Sequence, residues 1–437
     1  MHRLILLLFS ITAVAQDTTR LSLLFLGDIM QHETQLQAAY QASAGTYEYD
    51  TCFYFIRDHL RRADLVIANL ELTLGGKPYR GYPQFSAPDE LAAALQKAGI
   101  NVLVTANNHS LDRGRKGLER TIRVLDSLQI LHTGTFADTS NRLNDYPLLI
   151  ERNGIRLALL NYTYGTNGIP VTKPNVVNLI DTVVIARDLY KARMLRADAI
   201  VVFMHWGNEY QSHPTSEQKK LAEFCFRKGA MIVVGAHPHV LQPMYWYRER
   251  NQLVAYSLGN FISGQREHPR DGAALLQVDL IKTYGPDSVW TSIERAGYLL
   301  HWVYRTPLPE RRFLVLPVPQ FESDTTGFIR DGSSRQAFQQ FVGYARRLLG
   351  KGPDQIPEIT DRFAQQQMCY RIEWEVREDE VLHREPYDSY FGLTVSQIPG
   401  GNKVYRAGLF TNYHQAIRYL EHIRRRFPHA RLVEVIR

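Results

Sequence analysis

Ala199-Ile200-Val201-Val202-Phe203-Met204-His205-Trp206-Gly207 is the stretch on which the fold turns. Six apolar residues in unbroken succession, several of them β-branched, read as a strand buried on both faces, and the polar cluster that ends the run reads as the mouth of that strand. The construction recurs four times: Leu21 to Leu26 before Gly27-Asp28, Leu65 to Leu70 leading into Asn69-Leu70-Glu71, Asn101 to Ala106 before Asn107-Asn108-His109, and Met231 to Val234 before Gly235-Ala236-His237-Pro238-His239. A sixth strand is read at Arg156 to Asn161. Helical segments fall between them. Pro88 opens one that runs through Ala98 and stops at Gly99, and others cover Gly117 to Leu128, Val184 to Leu195 and Ser216 to Lys228. Such alternation belongs to an α/β domain, whose ligands gather outside the carboxyl ends of the strands. All five polar clusters fall there.

Beyond Asn260 the rhythm changes. Ala273 to Leu280, Gly297 to Tyr304 and Arg312 to Pro317 read as successive strands that complete the sheets, Phe321 to Gly332 is turn-rich, and Arg335 to Leu349 has the spacing of an amphipathic helix. Gly350 to Glu358, with Gly352, Pro353 and Pro357, reads as a linker. A compact αβ unit follows. The domain reading is therefore a large domain over 21–318, a helical linker region over 319–364 and a small domain over 365–437.

His2 and Arg3 precede an apolar run from Leu4 to Val14, and Ala13-Val14-Ala15 before Gln16 fits a signal-peptidase site. The run is short for a bilayer span, so residues 1–15 are expected to be an export signal, leaving a mature chain with no transmembrane segment in the periplasm or cell envelope. With 45% hydrophobic and 22% charged residues, the composition is that of an ordinary globular chain. A net charge of +7 without a long Lys/Arg block argues against nucleic acid and leaves an anionic polymer or envelope surface open as partner. Three cysteines, Cys52, Cys225 and Cys369, are odd in number and far apart, so no disulfide framework is legible.

Carboxylate, amide oxygen and neutral imidazole together suit borderline or hard divalent ions such as Mn, Zn or Fe, whereas a soft ion would call for thiolates. Asp28 and Glu71 can neutralise two adjacent ions, with Asn108, His205, His237 and His239 filling further positions. Two such ions would acidify a bridging water and clamp the attacking and leaving oxygens. Taken singly, Gly-Asp is an ordinary turn or cap and His-Trp-Gly an ordinary core histidine beside an aromatic. Five clusters in this order, each at a strand end, are not explained by packing.

The order Asp28, Asn69-Leu70-Glu71, Asn107-Asn108-His109, His205-Trp206-Gly207, His237-Pro238-His239 and then Ser257-Leu258-Gly259-Asn260-Phe261 resembles the bacterial capsule-synthesis family called CapA or PgsA, linked with poly-γ-glutamate, within the calcineurin-like metallophosphatase superfamily. The resemblance implies a four-layer α/β/β/α sandwich. It also implies Asp28 and His239 at a first metal site, Glu71 as the bridging carboxylate, Asn108, His205 and His237 at a second site, and His109 as the residue that steadies the transition state or protonates the leaving group. One departure matters. The superfamily's first motif is Asp-x-His, but this chain has Asp28-Ile29-Met30, and a thioether is a weak ligand for these ions. His32 is near enough to substitute, or else is a solvated loop histidine.

Asn161, Thr163 and Tyr164, in a loop of hydroxyls, amides and glycines, are expected with Glu209 and Asn260 to line a substrate cleft; an ordinary self-tied loop is the alternative. Asp112 or Arg113 could orient His109 or meet an anion. In the tail, Val404 to Phe410, a helix with Ala416, Tyr419, Leu420 and Ile423, and Ala430 to Val435 resemble the SPOR domain, a small α/β module that binds peptidoglycan; a generic αβ accessory domain accounts for the same pattern. The expected protein is an exported hydrolase or transferase carrying two divalent ions and acting on an anionic envelope or capsule polymer. A non-catalytic, wall-binding scaffold with a relic metal site is the alternative.

Overall fold

The computed structural model describes residues 17–285, 288–308, 311–322, 327–329, 331–350, 352–360, 368–376, 394–397, 403–410, 417, 420–421, 423–425 and 427–436. The expected export signal at 1–15 and most of the helix expected after Phe410 lie outside these residues. The chain forms two compact units, Met1–Thr360 and Asp361–Arg437.

Numbered along the chain, the strands of the first unit's two large sheets are β1 (Asp17–Ile29), β2 (Leu65–Leu70), β3 (Val102–Val104), β4 (Leu131–Thr133), β5 (Leu148–Arg152), β6 (Ile155–Thr163), β7 (Ala199–His205), β8 (Ile232–Ala236), β9 (Leu241–Tyr247), β10 (Gln252–Leu258), β11 (Asn260–Ile262), β12 (Gly272–Tyr284), β13 (Val289–Arg305) and β14 (Phe313–Pro317). One sheet runs β14-β13-β12-β1-β2-β3-β4, with β11 also pairing β1; the other runs β9-β10-β8-β7-β6-β5. Strands β1 to β4 are mutually parallel, as are β6, β7, β8 and β10. The principal helices are α1 (Asp89–Ala98), α2 (Gly114–Ser127), α3 (Thr182–Met194), α4 (Ser216–Arg227) and α5 (Gly332–Leu349).

The period of two in the strands produces the layers. On β1, Leu21, Leu23 and Phe25 join the core between the sheets, while Leu24 and Leu26 face the outer core beneath Leu91 and Leu95 of α1 and Leu125 of α2. On β7, Val201 and Phe203 face inward, and Ile200, Val202 and Met204 pack outward with Ile185 and Leu189 of α3 and Phe226 of α4. Apolar side chains on both faces are what made the runs unbroken in sequence. The result is the expected α/β/β/α sandwich.

Two differences from the sequence reading have plain causes. Strand β3 is shorter than Asn101 to Ala106, because the Ala106 N–H turns to the Asn161 side chain rather than continuing the ladder. Gly350 to Glu358 is not a free linker. Its carbonyls at Asp354 and Pro357 accept from Trp246 and Tyr298, and Ile356 is buried, so the stretch lies along the sandwich. The preceding helix α5 likewise puts Phe341, Val342 and Ala345 into the central core. Proline and glycine content reports local backbone preference but not who receives the carbonyls.

The second unit holds a four-stranded sheet in the order Thr394–Gln397, Lys403–Phe410, Met368–Val376, Arg431–Ile436. Trp374 stacks on Tyr405 and Phe427, with ring centroids 5.7 and 5.6 Å away, and Leu420 and Ile423 are buried.

Candidate metal centre

The parallel strands bring five loops to one end of the sandwich. At the exit of β1 the register slips by one residue, pairing Leu26 with Ala68 but Asp28 with Asn69, so Gly27 is an extra residue that re-aims Asp28. A side chain at Gly27 would place its Cβ 1.8 Å from the Gly259 carbonyl oxygen, which itself accepts from the Asp28 N–H at 2.9 Å. Gly235 is held to glycine in the same way: a Cβ there would lie 2.0 Å from the Tyr256 carbonyl and 2.3 Å from Trp206 Nε1. Trp206 is a strut, donating Nε1–H to Tyr256 O at 2.9 Å and fixing the residue after His205.

Asp28, Glu71, Asn108, His205, His237 and His239 do converge, and all six are buried. Asp28 Oδ1 accepts from Asn69 Nδ2 at 2.8 Å, and its Oδ2 lies 3.1 Å from His239 Nδ1 and accepts from the His237 N–H at 3.3 Å. Glu71 Oε1 lies 3.5 Å from His205 Nε2 and 3.7 Å from His239 Nε2. Asn108 Oδ1 is 2.8 Å from His205 Nε2. Ligand atoms of Asp28, Glu71 and His239 lie within 4.8 Å of one another, and so do those of Glu71, His205 and His237. Glu71 is common to both groupings.

The electrostatics are unresolved within the protein itself. Neither oxygen of Glu71 accepts a hydrogen bond from any described residue, and His237 Nδ1 is likewise buried without a partner. Burial, with the nearby Asp28 carboxylate, pushes the Glu71 carboxyl well above its usual range. Burial acts in the same sense on Asp28, yet His239 and the Asn69 amide bring its carboxyl below the ordinary value. Burial lowers His237 to about 3, with His239 adding to the effect, and holds His205 well below the usual imidazole range. Both rings are therefore neutral, with lone pairs available. An unpaired buried carboxylate costs several kcal/mol, and a cation among these donors would offset that cost. The residues fit divalent ions.

His109 stands beside this cluster rather than in it. Its Nδ1 is 2.7 Å from Asp112 Oδ2, which also accepts from the Phe85 N–H at 2.7 Å, and the Phe85 ring meets the imidazole edge-on at 4.7 Å. Asp112 therefore orients the ring, the role read for it as one alternative, and Nε2 is left as the atom able to give or take a proton.

The expected cleft residues divide. Tyr164 is half-exposed with its ring centroid 4.6 Å from that of His237, and Glu209 is exposed beside the two histidines of the His-Pro-His turn. Asn161, Thr163 and Asn260 are buried and do not face a cleft. Asn161 accepts from the Ala106 N–H and donates to Phe203 O; Thr163 ties Gly165; Asn260 Oδ1 holds His239 Nδ1 at 3.1 Å while its Nδ2 donates to Gln265 and Arg270 O. Each amide or hydroxyl is used up by backbone or by a neighbour. Met30 packs in the outer apolar core, and His32 is no solvated loop residue: its Nδ1 accepts from the Gly264 N–H at 3.1 Å, and burial lowers it to about 4.

Sequence reasoning assigned no role to Asn69 or Phe85. Asn69 donates to Asp28, lies 3.2 Å from His205 Nδ1 and accepts from Asn107 Nδ2 at 3.2 Å, which makes it the amide frame of the centre. Its position two residues before Glu71 was a usable signal, since the two share a strand face. Phe85 lies in an irregular loop and gave none.

The model of the family described as "Bacterial capsule synthesis protein PGA_cap" matches residues 22–265, more than half of the chain and the whole set of clustered residues. The chain belongs to that family. The capsule biosynthesis protein CapA of Bacillus anthracis is 31% identical over 281 residues, covering 61% of this chain and 65% of that protein. The PGA biosynthesis protein CapA of Bacillus subtilis (strain 168) is 29% identical over 272 residues, covering 60% of this chain and 68% of that protein. The chain thus spans about two-thirds of the length of these relatives. Among solved structures, the calcineurin-like phosphoesterase YfkN from Bacillus subtilis aligns with a TM-score of 0.39 at 12% identity, over 65% of this chain and 91% of that one.

Proposed function

We propose that the first unit holds two divalent ions, Mn, Zn or Fe, and catalyses hydrolysis or transfer at a phosphoester or acyl bond of an anionic capsule or envelope polymer of the poly-γ-glutamate type, serving its synthesis, export or attachment. One observation carries the reading: the fully buried Glu71 carboxyl, whose two oxygens accept no hydrogen bond, stands among Asp28, the neutral rings of His205 and His237, and the imidazole of His239. Asp28, Glu71 and His239 would hold one ion and Glu71, Asn108, His205 and His237 the other. Bound there, divalent ions lower the pKa of water and neutralise developing negative charge. The residues of the chain supply the rest. Asn69 fixes Asp28 and His205, Asn260 fixes His239, and His109, oriented by Asp112, exchanges a proton with the leaving group from Nε2. Tyr164 forms one wall of the approach. Support for a polymer substrate comes from the names of the CapA relatives.

The reading extends to an exported location and to the second unit as the wall-binding part, with peptidoglycan as its partner. Metal analysis of the purified full-length chain, followed by a phosphodiester assay with added manganese, tests the core of it. Wild type should hold metal and turn over, and His237→Ala should lose metal and lower activity by on the order of a thousandfold. Absence of both metal and turnover in wild type would give the function to the scaffold reading. Retention of the full chain, but not of a chain ending at Thr360, on peptidoglycan checks the second unit.

A further inference from the structure

The two proposed ion positions are unequally provided with donors. Glu71, Asn108, His205 and His237 give the second position four side chains, whereas Asp28, Glu71 and His239 give the first only three. The neighbours that could have made up the difference are engaged elsewhere. Met30 is buried in the outer apolar core, and the Nδ1 of His32 accepts the Gly264 N–H.

Glu209 is the carboxylate within reach. One of its oxygens lies within 4.8 Å of ligand nitrogens of both His237 and His239. Its approach is built into the backbone. Gly207 takes a φ of +83° and would strike the Gln218 amide with any Cβ, at 2.6 Å from Oε1, so the chain turns sharply after His205. Tyr210, a non-glycine residue at φ +64°, donates its N–H to Pro238 O at 2.8 Å. A left-handed conformation in a tyrosine is costly and persists only where its surroundings impose it. Here it ties the residue after Glu209 to the turn that bears both histidines. His239 Nδ1 is occupied by Asp28 and Asn260, which leaves its Nε2 as the nitrogen to share with Glu209.

We infer that Glu209 is a metal ligand, joining the centre on the side of His239 and His237, the two residues it is grouped with, and adding a carboxylate where Met30 provides no donor. The inference rests on the metal-centre reading above. Three carboxylates against two divalent ions leave one net positive charge instead of the two that a neutral imidazole would leave, and a set richer in oxygen donors favours Mn over Zn. Glu209 is exposed, so it would hold an ion from the solvent side of the buried ligands.

The test is a manganese titration of the ion-free full-length protein by calorimetry, with metal content measured after gel filtration, on wild type, Glu209→Gln and Glu209→His. Loss of an outer-shell partner typically weakens metal binding 10–100-fold, so loss of a direct ligand should weaken one of two binding events by about tenfold or more. Glu209→Gln should therefore retain one ion firmly and the second weakly, with the melting temperature of the ion-free protein unchanged, and Glu209→His should regain the second ion while shifting preference from manganese toward zinc. A Glu209→Gln isotherm that superimposes on wild type overturns the inference while leaving the metal centre standing. A wild-type protein that takes up no manganese removes both.

Discussion

At the entrance of β7, Asp198 accepts hydrogen bonds from the Arg156 N–H and from Lys282 Nζ, both at 2.8 Å; at the exit of the same strand, about 23 Å away, His205 faces Glu71, neither of whose oxygens accepts a hydrogen bond. The pattern holds for a strand of the other sheet. Asp64, just before β2, accepts from the Ser22 N–H at 2.9 Å, while β2 leads out into Glu71. At these two entrances each carboxylate is met by a lysine or by backbone amides, whereas at the exits Glu71 is left without a donor. A protein that satisfies its charges at one end and leaves a buried carboxylate unsatisfied at the other has not run short of partners. The difference marks the exit end as a place that receives something positively charged.

The largest expected effect that would break this comparison comes from Glu71→Gln. In the ion-free protein the Glu71 carboxyl has a folded-state pKa raised well above its ordinary value of 4.5, so the folded state binds more protons than the unfolded one and stability falls as pH rises from about 4.5 toward that raised value. The substitution removes this dependence. Melting in the presence of a chelator at pH 7 should show Glu71→Gln more stable than wild type by at least about 1 kcal/mol. Added manganese should then stabilise wild type and leave the variant unmoved. A variant less stable than wild type without metal would mean that the carboxylate is already satisfied, and the asymmetry between the strand ends would be lost.

Asp198→Ala tests the closed end. It leaves the Arg156 N–H without its acceptor and Lys282, whose side chain is 15% exposed, with only the Gly154 carbonyl, and hydrogen bonds to a charged group are worth about 1.5–3 kcal/mol. Chemical denaturation should show a loss of about 2 kcal/mol, with manganese uptake unchanged. A fall in metal affinity would join the two ends into one system.

Much of this contrast was legible in the residues, and the reasons differ by level. Strands such as Ile232–Ala236 stood out because both of their faces are covered, and the ligands stood out because a polar side chain directly after such a run has no packing role to play. What could not be read is the direction in which a polar side chain is spent. Asn161 and Asn108 both follow buried runs and both carry an amide, yet Asn161 splices β6 to the chain after β3, whereas Asn108 turns toward His205. Thr163 and Asn260 were equally ambiguous. The same limit applies to Gly350 to Glu358, where composition gave a linker but not the strands whose amides its carbonyls accept from.

His301 sharpens the comparison with the smallest effect. This residue of β13 is as buried as His205, and like Glu71 it has side-chain polar atoms without a partner, at both Nδ1 and Nε2, but among the described residues no carboxylate joins it in an ion-binding group; the ring beside it is Phe261, at 5.3 Å. Burial alone lowers its pKa to about 3 from 6.5. Between those two values the unfolded chain binds a proton that the folded one does not, so stability is lost as pH falls below about 6.5, at up to about 1.4 kcal/mol per pH unit for one such group. His301→Leu should therefore melt close to wild type at pH 7.5 and be more stable by about 2 kcal/mol at pH 5, measured with chelator present so that the metal centre does not contribute. Manganese uptake should be the same in both proteins. An unsatisfied buried imidazole would then be seen to affect folding alone when it stands by itself, and to bind metal when carboxylates and further imidazoles converge on it. If His301→Leu instead lowered manganese affinity, unsatisfied polar burial by itself would no longer distinguish the centre from the core.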